Sequence, residues 1–75
     1  MTELPVVTSR QLIRALQKAG FFVHHVRGSH YYLKHPDHPA LRVTVPHHAK
    51  DIKRGTLRAI LRDAGISVDQ LVEFL

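Results

Sequence analysis

The chain has 75 residues, 44% of them apolar, with seven histidines, no cysteine, and eleven Lys and Arg against six Asp and Glu for a net charge of +5. A chain this short makes one domain over residues 1–75, burying only about 60% of the surface its unfolded form exposes, and without cysteine neither disulfides nor thiolate metal sites can reinforce its thin core. No stretch approaches transmembrane length, and Met1-Thr2-Glu3-Leu4-Pro5 has no basic region followed by an apolar run, so a cytoplasmic protein without a membrane partner is expected.

The charge is unevenly spread. All eleven basic residues fall between Arg10 and Arg62, where Asp37 and Asp51 are the acids, so that stretch carries +9. Residues 63–75 hold Asp63, Asp69 and Glu73 and no base. Solubility alone is the plain meaning of a basic balance, but a pI near 10.3 makes nucleic acid the leading partner class for the body of the fold.

In chain order, Thr8 with Gln11 is a capping box and Val7 with Leu12 its hydrophobic staple. They start a first helix, in which Leu12, Ile13, Leu16 and Ala19 form the apolar stripe and Gly20 the stop. Two runs rich in β-branched and aromatic residues, Phe21 to Arg27 and His30 to His35, are split by Gly28-Ser29 and read as a β-hairpin. Alternation in the second strand puts Tyr31 and Leu33 on one face and His30, Tyr32 and Lys34 on the other; both faces of the first strand are mixed. A two-residue turn would set Arg27 beside His30, and a longer one would not.

After a turn-rich loop, Leu41-Arg42-Val43-Thr44-Val45 alternates as a third strand, with Leu41, Val43 and Val45 inward, Arg42 and Thr44 outward, and Pro46 as its end. Leu57, Ile60, Leu61 and Ala64 mark a second helix closed by Gly65, and Ser67 with Gln70 caps a short terminal helix carrying Leu71, Val72, Phe74 and Leu75. The expected fold class is α+β: α-β-β-β-α with a three-stranded antiparallel sheet, both long helices on one face, and a short C-terminal helix.

Two groups of residues carry candidate chemistry. His30 is held by strand pairing at the edge of a turn in a basic chain, a placement that lets an imidazole work on a phosphodiester; a polar strand residue on a solvated face is the plainer alternative. Lys50, Lys53 and Arg54 with Gly55 cluster at the start of the second helix, where the macrodipole favours acids, so an anion explains them better than helix stability does. A merely solvated charged end is the alternative there. The pairs His24-His25 and His47-His48 invite a metal reading. It is set aside, because strand neighbours point to opposite faces and no Cys, Asp or Glu stands at ligand spacing around them. No cofactor is expected. Tyr32 is a surface aromatic able to stack on a base, and Tyr31 fits the core better.

The succession Ala19-Gly20-Phe21, Arg27-Gly28-Ser29-His30, Lys34-His35-Pro36-Asp37, Val43-Thr44-Val45-Pro46-His47, Ile52-Lys53-Arg54-Gly55-Thr56-Leu57-Arg58 and Ile60-Leu61-Arg62-Asp63-Ala64-Gly65-Ile66 resembles the HicA-type toxins of prokaryotic toxin–antitoxin modules. The resemblance spans roughly residues 8 to 75. It implies a double-stranded-RNA-binding-domain-like fold and an endoribonuclease that cleaves mRNA and is neutralised by a HicB-type antitoxin. The family's essential histidine falls on His30 through Gly28-Ser29-His30. The first strand departs from the commoner pattern, with His24 and His25 where mixed apolar and basic residues are usual.

These readings converge on a metal-independent ribonuclease. His30 is the acid or base, Arg27, Gly28, Ser29, Lys34, Lys50, Lys53 and Arg54 hold RNA, and Lys53, Arg54 or Arg27 steadies charge on the phosphorane. A second proton-transfer group must come from water or from His24, His25, His47 or His48. The alternative is a non-catalytic RNA-binding module of the same fold, which needs the basic residues but no histidine.

Overall fold

The computed structural model describes residues 3–47 and 50–75. Its elements run α1 (Ser9–Lys18), β1 (Phe22–Arg27), β2 (His30–Lys34), β3 (Arg42–Pro46), α2 (Arg54–Ala64) and α3 (Val68–Phe74). The three strands form one antiparallel sheet in the order β1-β2-β3, so the expected α+β architecture is the one found.

Local chemistry sets the helix ends. The Thr8 hydroxyl accepts from the Gln11 N–H at 3.2 Å, and the Gln11 amide oxygen accepts from the Thr8 N–H at 2.9 Å. The Ser67–Gln70 box repeats this at 3.1 and 2.8 Å, so both boxes satisfy N–H groups a helix start would otherwise leave orphaned. Lys53 caps α2 with no side-chain hydrogen bond. Gly20, at φ 104°, carries the chain from α1 toward β1, and a Cβ there would lie 2.6 Å from His35 Nε2, so this position excludes a side chain twice over.

The sheet buries one face. Leu33, Val43 and Val45 pack with Leu12, Leu16, Leu57, Ile60 and Leu61 from the two long helices, all within the same apolar core. The capping staple joins this core through Val7 and Leu12. Only Leu71 of α3 is buried; Phe74 is half-buried, and Val72 and Leu75 stay exposed.

The strands are shorter than expected at Phe21, His35 and Leu41, which fall outside β1, β2 and β3. Leu41 lies outside β3 because its N–H closes the preceding turn onto the His38 carbonyl at 2.9 Å, and it is half-buried rather than a full core residue. Pro46 ends β3 as expected, forming its last rung opposite His30. With no N–H to give the ladder, it is tolerated at this end, and its carbonyl accepts from the buried Ser9 hydroxyl at 2.5 Å. The next amide, of His47, donates to the Ser29 carbonyl at 2.6 Å and ties the end of β3 to the hairpin turn.

Candidate active site and nucleic-acid interface

The Gly28-Ser29 turn is of the two-residue kind. Arg27 pairs directly with His30, and Gly28 at φ 59° followed by a serine at negative φ is the arrangement a II′ hairpin turn requires. His30 sits on the central strand between Arg27 of β1 and Pro46 of β3. Cross-strand partners share a face, so the side of the sheet away from the helices carries Arg27, His30 and Pro46 in one row, His25, Tyr32 and Thr44 in the next, and Phe22, Lys34 and Arg42 in the third.

That open face holds three cations and no carboxylate. Lys34 stands directly opposite Arg42, a like-charge pair that costs stability in a sheet. Among the described residues the one ion pair joins Arg62 and Asp63, away from this face. A phosphate between Lys34 and Arg42 would relieve the repulsion.

The expectation for adjacent histidines does not hold at His24 and His25. A bulge between Val23 and His25 inserts one residue, and both rings come to lie together: Nδ1 of one is 2.8 Å from Nδ1 of the other, with ring centroids 5.0 Å apart. A bulge re-aims side chains in this way, so opposite faces is not a ground for setting a metal aside here. The pair offers two nitrogens, and among the described residues no group of three or more His, Cys, Asp or Glu forms around them. The Lys34 ammonium, then lost hydration, then His25 hold the His24 pKa below the ordinary histidine value. His25 stacks on Tyr32 with centroids 4.4 Å apart and planes 10° from parallel. One ring face of the expected base-stacking tyrosine is thus taken by its own neighbour.

The remaining histidines go elsewhere. His47 stacks on Tyr31 at 4.9 Å, and Tyr31 packs against the core, on the helix side of the sheet. His35 meets the edge of Phe21 at 5.1 Å and accepts the Asp37 N–H on Nδ1 at 3.1 Å, which commits it to the loop. Sequence reasoning gave His35 no part, and the Gly20–His35 proximity behind its role is a tertiary contact. His38 packs against His35 with ring centroids 4.9 Å apart, and His48 lies outside the described residues.

The expected RNA-binding residues divide. Arg27, Gly28, Ser29 and Lys34 are grouped with His30 by the hairpin. Lys53 caps α2 and Arg54 is its first residue, while Lys50 is exposed in the loop before them. Arg54 lines a cleft with Arg58 of α2, Glu3, and Ser67 and Asp69 at the start of α3. Gly55 has no atom within 4 Å of a would-be Cβ and no positive φ, so nothing within the chain demands glycine there.

An α-β-β-β-α sheet with a histidine and unpaired cations on its open face defines a small basic α+β domain of the double-stranded-RNA-binding type. The family model of the HicA toxin of bacterial toxin–antitoxin systems matches residues 9–66. The chain belongs to that family and is the toxin of a toxin–antitoxin system. A search of curated proteins finds no match. Membership implies an antitoxin partner of the HicB type. Among the described residues no helix is long and apolar enough to cross a membrane.

Proposed function

We propose that the protein is a metal-independent endoribonuclease that cleaves mRNA across the open face of its sheet, with His30 as the proton-transfer residue. The observation that carries this reading is the placement of His30: exposed on the uncovered face of the central strand, opposite Arg27, and on a surface whose charged groups are all cationic. Arg27 is the nearest cation by register and steadies charge developing on the phosphorane. The exposed backbone of Gly28-Ser29 lets the RNA strand approach, and Lys34 with Arg42 holds a flanking phosphate. Lys50, Lys53 and Arg54 add a second, weaker contact at the start of α2, where the helix N–H groups also favour an anion. An mRNA substrate places the protein in the cytoplasm. The antitoxin silences it by presenting acidic residues to Arg27, Lys34 and Arg42 and covering His30, with association that slows as salt rises.

Labelled RNA incubated with purified protein in EDTA, for wild type and His30→Ala, tests this reading. Cleavage by wild type and none by the folded mutant is the expected result. Binding without cleavage by wild type would make the protein an RNA-binding module, and full cleavage by His30→Ala would remove the histidine from the chemistry.

A further inference from the structure

One imidazole cannot both take a proton from the attacking 2′-hydroxyl and give one to the departing 5′-oxygen in the same displacement. A second group must act, and the sheet narrows the choice. Of the described histidines, His47 is on the helix side with Tyr31, His35 is held by Phe21 and the Asp37 amide, and His38 packs against His35 in the same loop. Only the bulge residues join His30 on the open face.

We propose that His25 is the second catalytic residue of the cleavage, and that His24 is a positioning residue that orients it; this rests on the ribonuclease reading above. The register places His25 opposite Tyr32 and Arg27 opposite His30, so His25 and His30 are diagonal neighbours on one face. Such neighbours have their Cβ atoms about 7–8 Å apart or somewhat less, within reach of ring side chains. Two imidazoles at that separation can bracket a phosphodiester.

The ring contacts of His25 hold its orientation and admit the tautomer a base needs. Stacking on Tyr32 holds the plane. The 2.8 Å contact between the two Nδ1 atoms requires one proton between them, one nitrogen donating and the other accepting. In the tautomer that leaves His25 able to act as a base, His24 is the acceptor. There His25 donates from Nδ1 and keeps its lone pair at Nε2. A hydrogen bond to one ring nitrogen setting the role of the other is how enzymes commonly orient a histidine base.

In the step this supports, His25 Nε2 takes the 2′-hydroxyl proton as the 2′-oxygen bonds to phosphorus. The bond from phosphorus to the 5′-oxygen breaks, and the His30 imidazolium protonates the departing oxygen. The products are a 2′,3′-cyclic phosphate and a 5′-hydroxyl. Solvent exchange returns the proton gained by His25 and replaces the one lost by His30. The groups facing the pair are His24 and Arg27 on β1, Tyr32 and Lys34 on β2, and Arg42 on β3, none of them a carboxylate.

The test measures kcat/KM against pH in EDTA for wild type, His25→Ala, His25→Phe and His24→Gln, on ordinary RNA and on RNA carrying a sulfur in place of the scissile 5′-oxygen. A thiolate leaves without an acid. Loss of His25 should lower the rate on both substrates by about 10²- to 10⁴-fold, the usual span for a general acid or base, and remove the rising acid limb of the profile. His30→Ala should be rescued on the sulfur substrate alone. His24→Gln should move that limb with a smaller loss of rate, since glutamine can still accept the His25 proton. Full activity in His25→Phe would make the ring a stacking platform and overturn the proposal. So would loss of wild-type cleavage in EDTA with recovery on adding zinc, which would make the pair a metal site. Cleavage that needs His30 but ignores His25 refutes this inference alone; no wild-type cleavage of RNA with or without metal refutes the ribonuclease reading beneath it.

Discussion

The open face of the sheet and the cleft at the start of α2 are both rich in cations, but they keep different company. On the sheet, Arg27, Lys34 and Arg42 share a surface with histidines and tyrosine and no acid. In the cleft, Arg54 and Arg58 line the wall with Glu3 and Asp69. Two positive and two negative groups leave little net field there, whereas the three sheet cations add. The +9 of residues 10–62 therefore does not spread evenly into an RNA-binding surface. A cationic cluster in a sequence becomes a binding site only where folding leaves it without carboxylates, and the hairpin does this for the sheet face.

The sharpest way to break the comparison is to remove the support beneath one side of it. Leu33→Ala takes a buried side chain from directly under the open face and should cost about 2–5 kcal/mol, read in a urea titration, enough to loosen both regions together. Next comes charge. Lys34→Ala with Arg42→Ala should weaken binding to single-stranded RNA at least tenfold and flatten the slope of log K against log salt by about 1.4, two phosphates at about 0.7 each. Arg54→Ala with Arg58→Ala should change both much less, and an equal or larger change would reverse the ranking of the two surfaces.

Gly28→Ala meets no atom within 4 Å but sits at φ 59°, so it should cost about 1–2 kcal/mol of stability through backbone strain alone, seen as a lower Tm, and it should also weaken RNA binding, since the added methyl stands where the strand approaches. The smallest effect is a titration. Lys34 is the main cause of the lowered His24 pKa, so Lys34→Ala should raise it toward the ordinary value, followed by NMR of the ring protons. The unfolded chain binds this proton more readily than the folded one. His24 therefore subtracts stability as pH falls through the ordinary histidine range, and Lys34→Ala should lessen that acid sensitivity.

Much of this was legible in the residues themselves. The Thr8–Gln11 and Ser67–Gln70 boxes act over three residues, and the alternation of β2 and β3 follows from which side chains need burial, so both could be read without the fold. The Gly28-Ser29 turn left two registers open, and pairing selected the one that sets Arg27 against His30. The bulge in β1 was not legible: Phe22, His24, His25 and Val26 give neither face a clear apolar set, and one extra residue decides which side His25 takes. The placement of Arg54 was hidden for a different reason. An uncapped helix start leaves the phase of its first turn unset by local pattern, and the acids that share the cleft with Arg54 come from distant parts of the chain.

The central claim is that RNA lies on the open sheet face, over His30. The most direct measurement is NMR of the protein titrated with a single-stranded RNA methylated at its 2′-oxygens, which binds but cannot be cleaved by 2′-oxygen attack. The account predicts the largest shifts at Arg27, Gly28, Ser29, His30, Tyr32, Lys34 and Arg42, smaller ones at Lys53 and Arg54, and none at Arg58, Ser67 and Asp69. Shifts concentrated on Arg54, Arg58 and the start of α3, with His30 and Tyr32 unmoved, would contradict it.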